Sequence, residues 1–213
     1  MNTHPWLQHF QETYYVNLNP RKSYKKVDPD IKKNIWQRAD GFKLLFSLLL
    51  EKKQENFKIV ETGTCRSGKW SDGASSILYA DFVDAHGGSV RSVDISSSSV
   101  SAARELVKSL NFTVTESDSV AYLESLEDKG EVDLYFLDSY DVKWANDDPS
   151  ATHHLNEFKV IEPYLNDCIV CIDDNTMFTS TGKRTGKGRK IVEYLDSKGI
   201  KPIYDDYMII YKF

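Results

Sequence analysis

The sequence predicts an α/β protein built on one open, mostly parallel sheet whose last strand runs backwards. Three observations carry that expectation. From residue 57 onward, short apolar runs alternate with segments of helical period. Several of these runs are apolar throughout, as strands are when helices cover both faces of a sheet. The last two runs are joined tightly by Asp205-Asp206, too short a link for a crossover helix, so they are antiparallel neighbours.

Composition bounds the rest. A length of 213 residues suits one α/β domain and is too short for two with separate cores. Apolar residues make up 40% and charged residues 28%, enough for a core and outside the disordered class. Lys plus Arg number 27 against 32 Asp plus Glu, giving −5. That balance argues against a general binder of phosphate backbones, so nucleic acid is not the expected partner. The longest apolar stretch, Leu44 to Leu50, contains Ser47 and falls far short of the roughly 20 residues of a membrane span. Met1 to Trp6 lacks a signal-peptide pattern, and three cysteines make no disulfide framework. A reducing, cytoplasmic compartment is expected.

The elements follow in chain order. Residues 1–55 read as an N-terminal arm and helix, a lid or cap rather than an independent domain, and 56–213 as the α/β domain. The arm is irregular to about residue 29, with aromatics and a basic cluster at Arg21, Lys22, Lys25 and Lys26. From Asp30 to Glu55, Ile31, Ile35, Phe42, Leu45, Phe46 and Leu49 recur at helical steps, with a break conceivable at Asp40-Gly41. Phe57 to Glu61 is the first strand. A helix from Ser71 to Ala85 ends at His86-Gly87-Gly88. Ser89 to Ile95 is a strand, Ser99 to Leu110 a helix, Phe112 to Thr115 a strand, and Val120 to Leu126 a helix with a Ser/Asp cap. Val132 to Leu137 is the fourth strand, Ala151 to Leu165 a helix, and Cys168 to Ile172 the fifth strand. Gly188 to Lys198 is the last helix, followed by Ile200 to Tyr204 and Tyr207 to Phe213.

Ligands of open α/β sheets sit outside the carboxyl ends of the strands. Here those ends carry Glu61-Thr62-Gly63-Thr64, Asp94, Ser117-Asp118-Ser119, Asp138-Ser139-Tyr140-Asp141 and Asp173-Asp174-Asn175. Gly63 to Lys69 fits the phosphate-loop spacing GxxxxGK, but Trp70 stands where a magnesium-binding Ser or Thr is needed. The GxGxxG dinucleotide fingerprint is absent, because Cys65 takes its second glycine.

In their order and spacing these strand ends resemble the class I S-adenosylmethionine-dependent methyltransferases, over about residues 57–213. The resemblance implies a Rossmann-like seven-stranded sheet with an antiparallel last strand. It also implies that Glu61, Gly63 and Thr64 hold the methionine end of S-adenosylmethionine, and that Asp94 accepts the ribose hydroxyls. Asp118 and Ser119 would lie at the adenine, with Asp138 beside the cofactor. The first loop is longer and more polar than is usual in that family. The second half is similar to the catechol-type, metal-dependent O-methyltransferases, which implies Mg2+ or Ca2+ on Asp138, Asp174 and Asn175, with Asp173 an alternative ligand. Oxygen donors suit such ions, and a bound ion would acidify the acceptor hydroxyl. The competing reading is that Asp173 and Asp174 cap the loop or bind basic side chains.

For the general base, Asp141 stands where that family has a Lys, which leaves Lys143, His153 and His154 as candidates. Cys168 and Cys171 point to opposite faces of a strand and read as core residues rather than a redox pair. The basic, glycine-rich run Thr181 to Lys190 reads as a solvated loop, or as a lid over an anionic substrate. The expected activity is methyl transfer from S-adenosylmethionine to a hydroxyl oxygen of a small molecule. Its rivals are a non-catalytic nucleoside-binding protein and a nucleotide-dependent enzyme using Gly63 to Lys69. A homo-oligomer stays open.

Overall fold

The protein is described here by a computed structural model covering residues 4–18, 38–69, 74–178 and 182–213. Its elements are α1 (Pro5–Thr13), α2 (Arg38–Lys52), β1 (Phe57–Thr62), α3 (Ser75–His86), β2 (Gly88–Asp94), α4 (Ser97–Leu106), β3 (Phe112–Glu116) and α5 (Ser119–Ser125). They continue with β4 (Leu134–Leu137), α6 (Asp148–Ile161), β5 (Ile169–Ile172), β6 (Asn175–Phe178), β7 (Lys183–Gly186), α7 (Arg189–Ser197), β8 (Tyr204–Asp205) and β9 (Ile209–Lys212).

Seven strands form one sheet in the order β3-β2-β1-β4-β5-β9-β8. β1 to β5 pair in parallel, while β9 runs antiparallel to both β5 and β8. The strand order reverses at β1, which lies between β2 and β4, so a crevice opens at that edge. The pleat divides the core. Ile59, Leu134, Phe136, Ile169 and Cys171 pack with α1, α2 and α3 on one face. Val60, Tyr135, Leu137, Cys168, Val170 and Ile172 pack with α5, α6 and α7 on the other. Cys168 and Cys171 therefore belong to different clusters, as alternation requires.

Local chemistry sets the boundaries. Asp118 caps α5 by accepting from the Ala121 amide at 3.0 Å. Gly88 has φ +113, and a side chain there would collide with Phe57 backbone, so β2 starts against β1 only because it starts on glycine. Asp40-Gly41 does not break α2; Gly41 lets the helix lie on Met208, whose sulfur would be 2.7 Å from a Cβ.

Several expectations shift. α4 ends at Leu106, and Leu110 is fully exposed beyond it rather than sharing a helical face. β8 is two residues long, where a strand from Ile200 was expected. Asn175–Phe178 and Lys183–Gly186, the latter within the run expected as loop from Thr181, pair antiparallel as β6 and β7. The described part of the arm is also built in: Trp6, Phe10, Tyr14 and Leu18 join the core, with Trp6 edge-on to Phe46 at 5.5 Å and to Phe82 at 5.3 Å. The basic cluster at 21–26 and the start of the predicted Asp30 helix lie outside the described residues.

Candidate active site

The carboxyl ends of β2, β3 and β4 meet around one cavity, and the β1 loop stands beside it with its Thr64 amide on Asp94. Gly63, at φ +80, follows β1; a Cβ there would come within 2.5 Å of the Asp138 carbonyl oxygen, so only glycine allows the β1 and β4 loops to touch. Glu61 is completely buried. Its Oε2 accepts from the hydroxyls of Ser76 (2.6 Å) and Ser92 (2.7 Å), while Oε1 has no hydrogen-bond partner among the described residues. Burial pushes this carboxyl up to about 7, against the pull of the serine hydroxyls around it. Asp94 takes the Ser96 amide at 2.8 Å on one oxygen and the Thr64 amide at 3.3 Å on the other.

The cavity measures about 180 Å³ and is lined by Asp94, Ile95, Asp118, Ser119, Tyr140 and His153 among others. Ile95 is 73% exposed, an apolar side chain standing directly after the β2 acid. Tyr140 lies 5.5 Å from the His153 ring. Two carboxylates between apolar and aromatic walls can hold a flat base with a polar sugar attached.

The structure separates the three candidate bases. His153 reaches the cavity, with Nε2 bonded to the Ser119 hydroxyl at 2.8 Å and 3.5 Å from Glu157 Oε1. Hydrogen bonding to Glu157 raises its pKa. His154 is fully buried; its Nδ1–H donates to the Ser150 carbonyl at 2.7 Å, and burial pushes its pKa down to about 4. Lys143 is exposed in a turn and is absent from the cavity lining. Glu157, fully buried on the same helix, also accepts from Ser139 at 2.7 Å.

The ends of β4 and β5 are different. Asp138, Asp174 and Asn175 do come together, but around a lysine. Lys187, 1% exposed, pairs with Asp174 Oδ2 at 2.8 Å, forms a short contact with Asp138 Oδ1 and donates to the Asp138 carbonyl at 3.2 Å. Arg38 makes a short ion pair with the fully buried Asp173 and lies 3.9 Å from Asp138. The Tyr207 hydroxyl donates to Asp174 Oδ1. Burial raises the Asp174 pKa, but the charges of Lys187 and Arg38 outweigh it and hold the group low. Asp173 stays high, at about 7, because burial outweighs Arg38. Asn175 is used structurally: its amide donates to the Ile172 and Asp173 carbonyls, both at 2.9 Å, and its oxygen accepts from the Gly188 amide at 2.6 Å. This donor set does not fit a divalent ion, because its carboxylates already face internal cations and its amide oxygen faces a backbone N–H. No group of three or more His, Cys, Asp and Glu among the described residues is arranged to hold a metal.

Sequence reasoning missed Lys187, Arg38, Tyr207 and Glu157. Arg38 had a signal, since it precedes Phe42 and Leu45 by four and seven positions and so shares their buried stripe. From Arg184 onward the Thr181 to Lys190 run is no solvated loop: Thr185 to Gly188 are buried, Arg184 pairs with Asp205 and Arg189 with Asp147, while Gly182 and Lys183 are exposed.

No protein-family model matches the sequence, and no curated protein does. Solved structures do. One is the MycE methyltransferase of the mycinamycin pathway in complex with Mg, S-adenosylhomocysteine (SAH) and mycinamycin VI: TM-score 0.54, 13% identity, covering 86% of this chain and 54% of that one. The chain thus spans about half the length of that neighbour. A TDP-rhamnose 3'-O-methyltransferase of calicheamicin biosynthesis matches with TM-score 0.53 and 13% identity, over 100% of this chain and 96% of that one. The chain has the class I methyltransferase fold. No helix among the described residues is long and apolar enough to cross a membrane.

Proposed function

We propose that the protein is an S-adenosylmethionine-dependent methyltransferase acting on a hydroxyl oxygen of a small molecule. The observation that carries this reading is the cavity where Asp94 and Asp118 meet between Ile95 and Tyr140, at the edge where the strand order reverses. The two fold neighbours support the class, one by the SAH in its complex and the other by its sugar-hydroxyl acceptor.

Asp94 would accept the two ribose hydroxyls, Asp118 and Ser119 would border the adenine, and Gly63 and Thr64 would lie along the methionine end. Glu61 suits an ammonium group there, because one oxygen of this buried carboxyl lacks a partner among the described residues. When bound, the cofactor supplies an electrophilic sulfonium methyl group. The chain contributes orientation and the exclusion of water by Ile95 and Tyr140. His153 lines this cavity through its bond to Ser119, which puts it at the adenine end, and we assign it to holding that end of the cofactor rather than to taking the acceptor's proton. No step uses a metal, since the donor set does not fit one.

The phosphate-loop reading is disfavoured by the loop itself. The Gly63 amide donates to the Val93 carbonyl (2.8 Å), Thr64 to Asp94 (3.3 Å) and Cys65 to the Ser76 hydroxyl (3.0 Å). Those N–H groups are spent inside the protein, whereas a phosphate cradle presents them outward.

Calorimetric titration with SAH and with ATP tests the reading. SAH should bind and ATP should not; the reverse result would restore the nucleotide-dependent enzyme. Mass spectrometry of sugar and phenol acceptors after incubation with S-adenosylmethionine separates an enzyme from a non-catalytic binder.

A further inference from the structure

We propose that the Lys187 ammonium takes the place of a divalent cation between the ends of β4 and β5, so that the acceptor end of the site works without a bound metal. An ammonium has three protons. Three oxygens surround this one: Asp138 Oδ1, the Asp138 carbonyl and Asp174 Oδ2. Its hydrogen-bonding capacity is thus met by the protein, from the two strand ends a metal would bridge.

The backbone is shaped to deliver it. Asp174 has φ +54, which turns the chain sharply out of β5 into β6. The hairpin then brings Gly186-Lys187-Gly188 back onto this turn, where the Lys187 amide donates to the Asp174 carbonyl at 3.1 Å. Gly186 has φ +120, and a Cβ there would collide with the Asp174 carbonyl oxygen. At Gly188 a Cβ would stand 2.8 Å from Asn175 Oδ1. Glycine on both sides lets the loop press against Asp174-Asn175 and carry the lysine inward. Asn175 completes the clamp through the Gly188 amide.

Charge points the same way. Lys187 and Arg38 oppose three carboxylates, those of Asp138, Asp173 and Asp174. A metal bound by Asp138 and Asp174 would have to displace the ammonium or share their oxygens with it at contact distance, and like charges at that range repel strongly. Lys187 touches the carboxylates and is a positioning residue: it holds them in place beside the β1 loop. A tethered cation leaves no open coordination position, so the acceptor would be oriented by the carboxylate edges rather than bound to an ion. This last step rests on the methyltransferase reading; the exclusion of metal does not.

Binding of Mn2+, followed by electron paramagnetic resonance with and without SAH, tests the proposal independently of turnover. The parent should show no site tighter than millimolar, and any methyl transfer should change less than twofold on chelation. Lys187→Ala should gain one Mn2+ site at least tenfold tighter than the parent, and adding Asp174→Asn should remove it. Lys187→Gln serves if the alanine variant does not fold, and the parent titration stands in either case. A parent that binds one Mn2+ and loses it on Asp174→Asn overturns the proposal. So does a folded Lys187 variant that gains nothing. Failure of SAH to bind in the same samples would strike the methyltransferase reading and leave the metal result standing.

Discussion

The two halves of the sheet edge carry similar acids in different circumstances. At the ends of β2 and β3, Asp94 and Asp118 hold only backbone amides among the described residues and face a cavity. At the ends of β4 and β5, Asp138, Asp173 and Asp174 are bound by Lys187, Arg38 and Tyr207. A carboxylate whose partners are backbone amides keeps its charge for a ligand. One that meets a distant cation has given that charge to the fold. The lesson is that an acid at a strand end serves a ligand only when no cation of the chain has already taken its charge.

The sharpest way to break this contrast is to remove a cation. Arg38→Met should leave Asp173 buried without its ion pair and cost about 3–5 kcal/mol of stability, read by urea unfolding. Adding Asp173→Asn should recover much of that loss; a single variant as stable as the parent would mean that the β5 end is not structural. On the other half, Asp94→Ala should weaken SAH binding by about 2–3 kcal/mol, as expected for hydrogen bonds to a charged group. Unchanged calorimetric affinity would remove Asp94 from the site.

The same contrast explains what could be read from sequence. The parallel strands were legible because Ile59-Val60, Leu134 to Leu137 and Ile169 to Ile172 are apolar on both faces. Asp94 and Asp118 were legible as strand-end acids because each stands at the carboxyl end of a strand that the apolar pattern marks. The state of Asp173 was not, since Arg38 lies 135 positions away. Lys187, 49 positions from Asp138, looked like one basic residue among several in a glycine-rich run. The β6–β7 hairpin escaped for a similar reason: Lys183 to Gly186 has no apolar alternation, and its pairing with Asn175–Phe178 supplies the order.

Between the two halves lies α6, whose His154 supplies a pH test. The unfolded chain binds a proton at this position below about 6.5, and the folded protein only below about 4. In that window the unfolded state holds more protons, so acid destabilises the fold, by about 2 kcal/mol at pH 5. Urea midpoints at pH 7 and pH 5 should therefore separate more in the parent than in His154→Asn. Equal separations would show that His154 is already charged in the fold, paired with Glu157.

The smallest effect asks whether Asp118 serves the ligand or only the helix. Its carboxylate caps α5 through the Ala121 amide and also lines the cavity, so Asp118→Ala should harm both functions. Loss of a cap costs about 1 kcal/mol, and loss of one ligand hydrogen bond a similar amount. Asp118→Ser parts the two. Serine is as good a cap as aspartate, but its hydroxyl is a carbon shorter and uncharged, so it keeps the bond to Ala121 and gives up the reach toward the adenine. Thermal stability should then match the parent within about 0.5 kcal/mol while SAH binding falls about fivefold. If stability and affinity fall together in the serine variant, or neither falls, Asp118 belongs to the helix alone. The free-acid half of the edge would then shrink to Asp94 and the buried oxygen of Glu61.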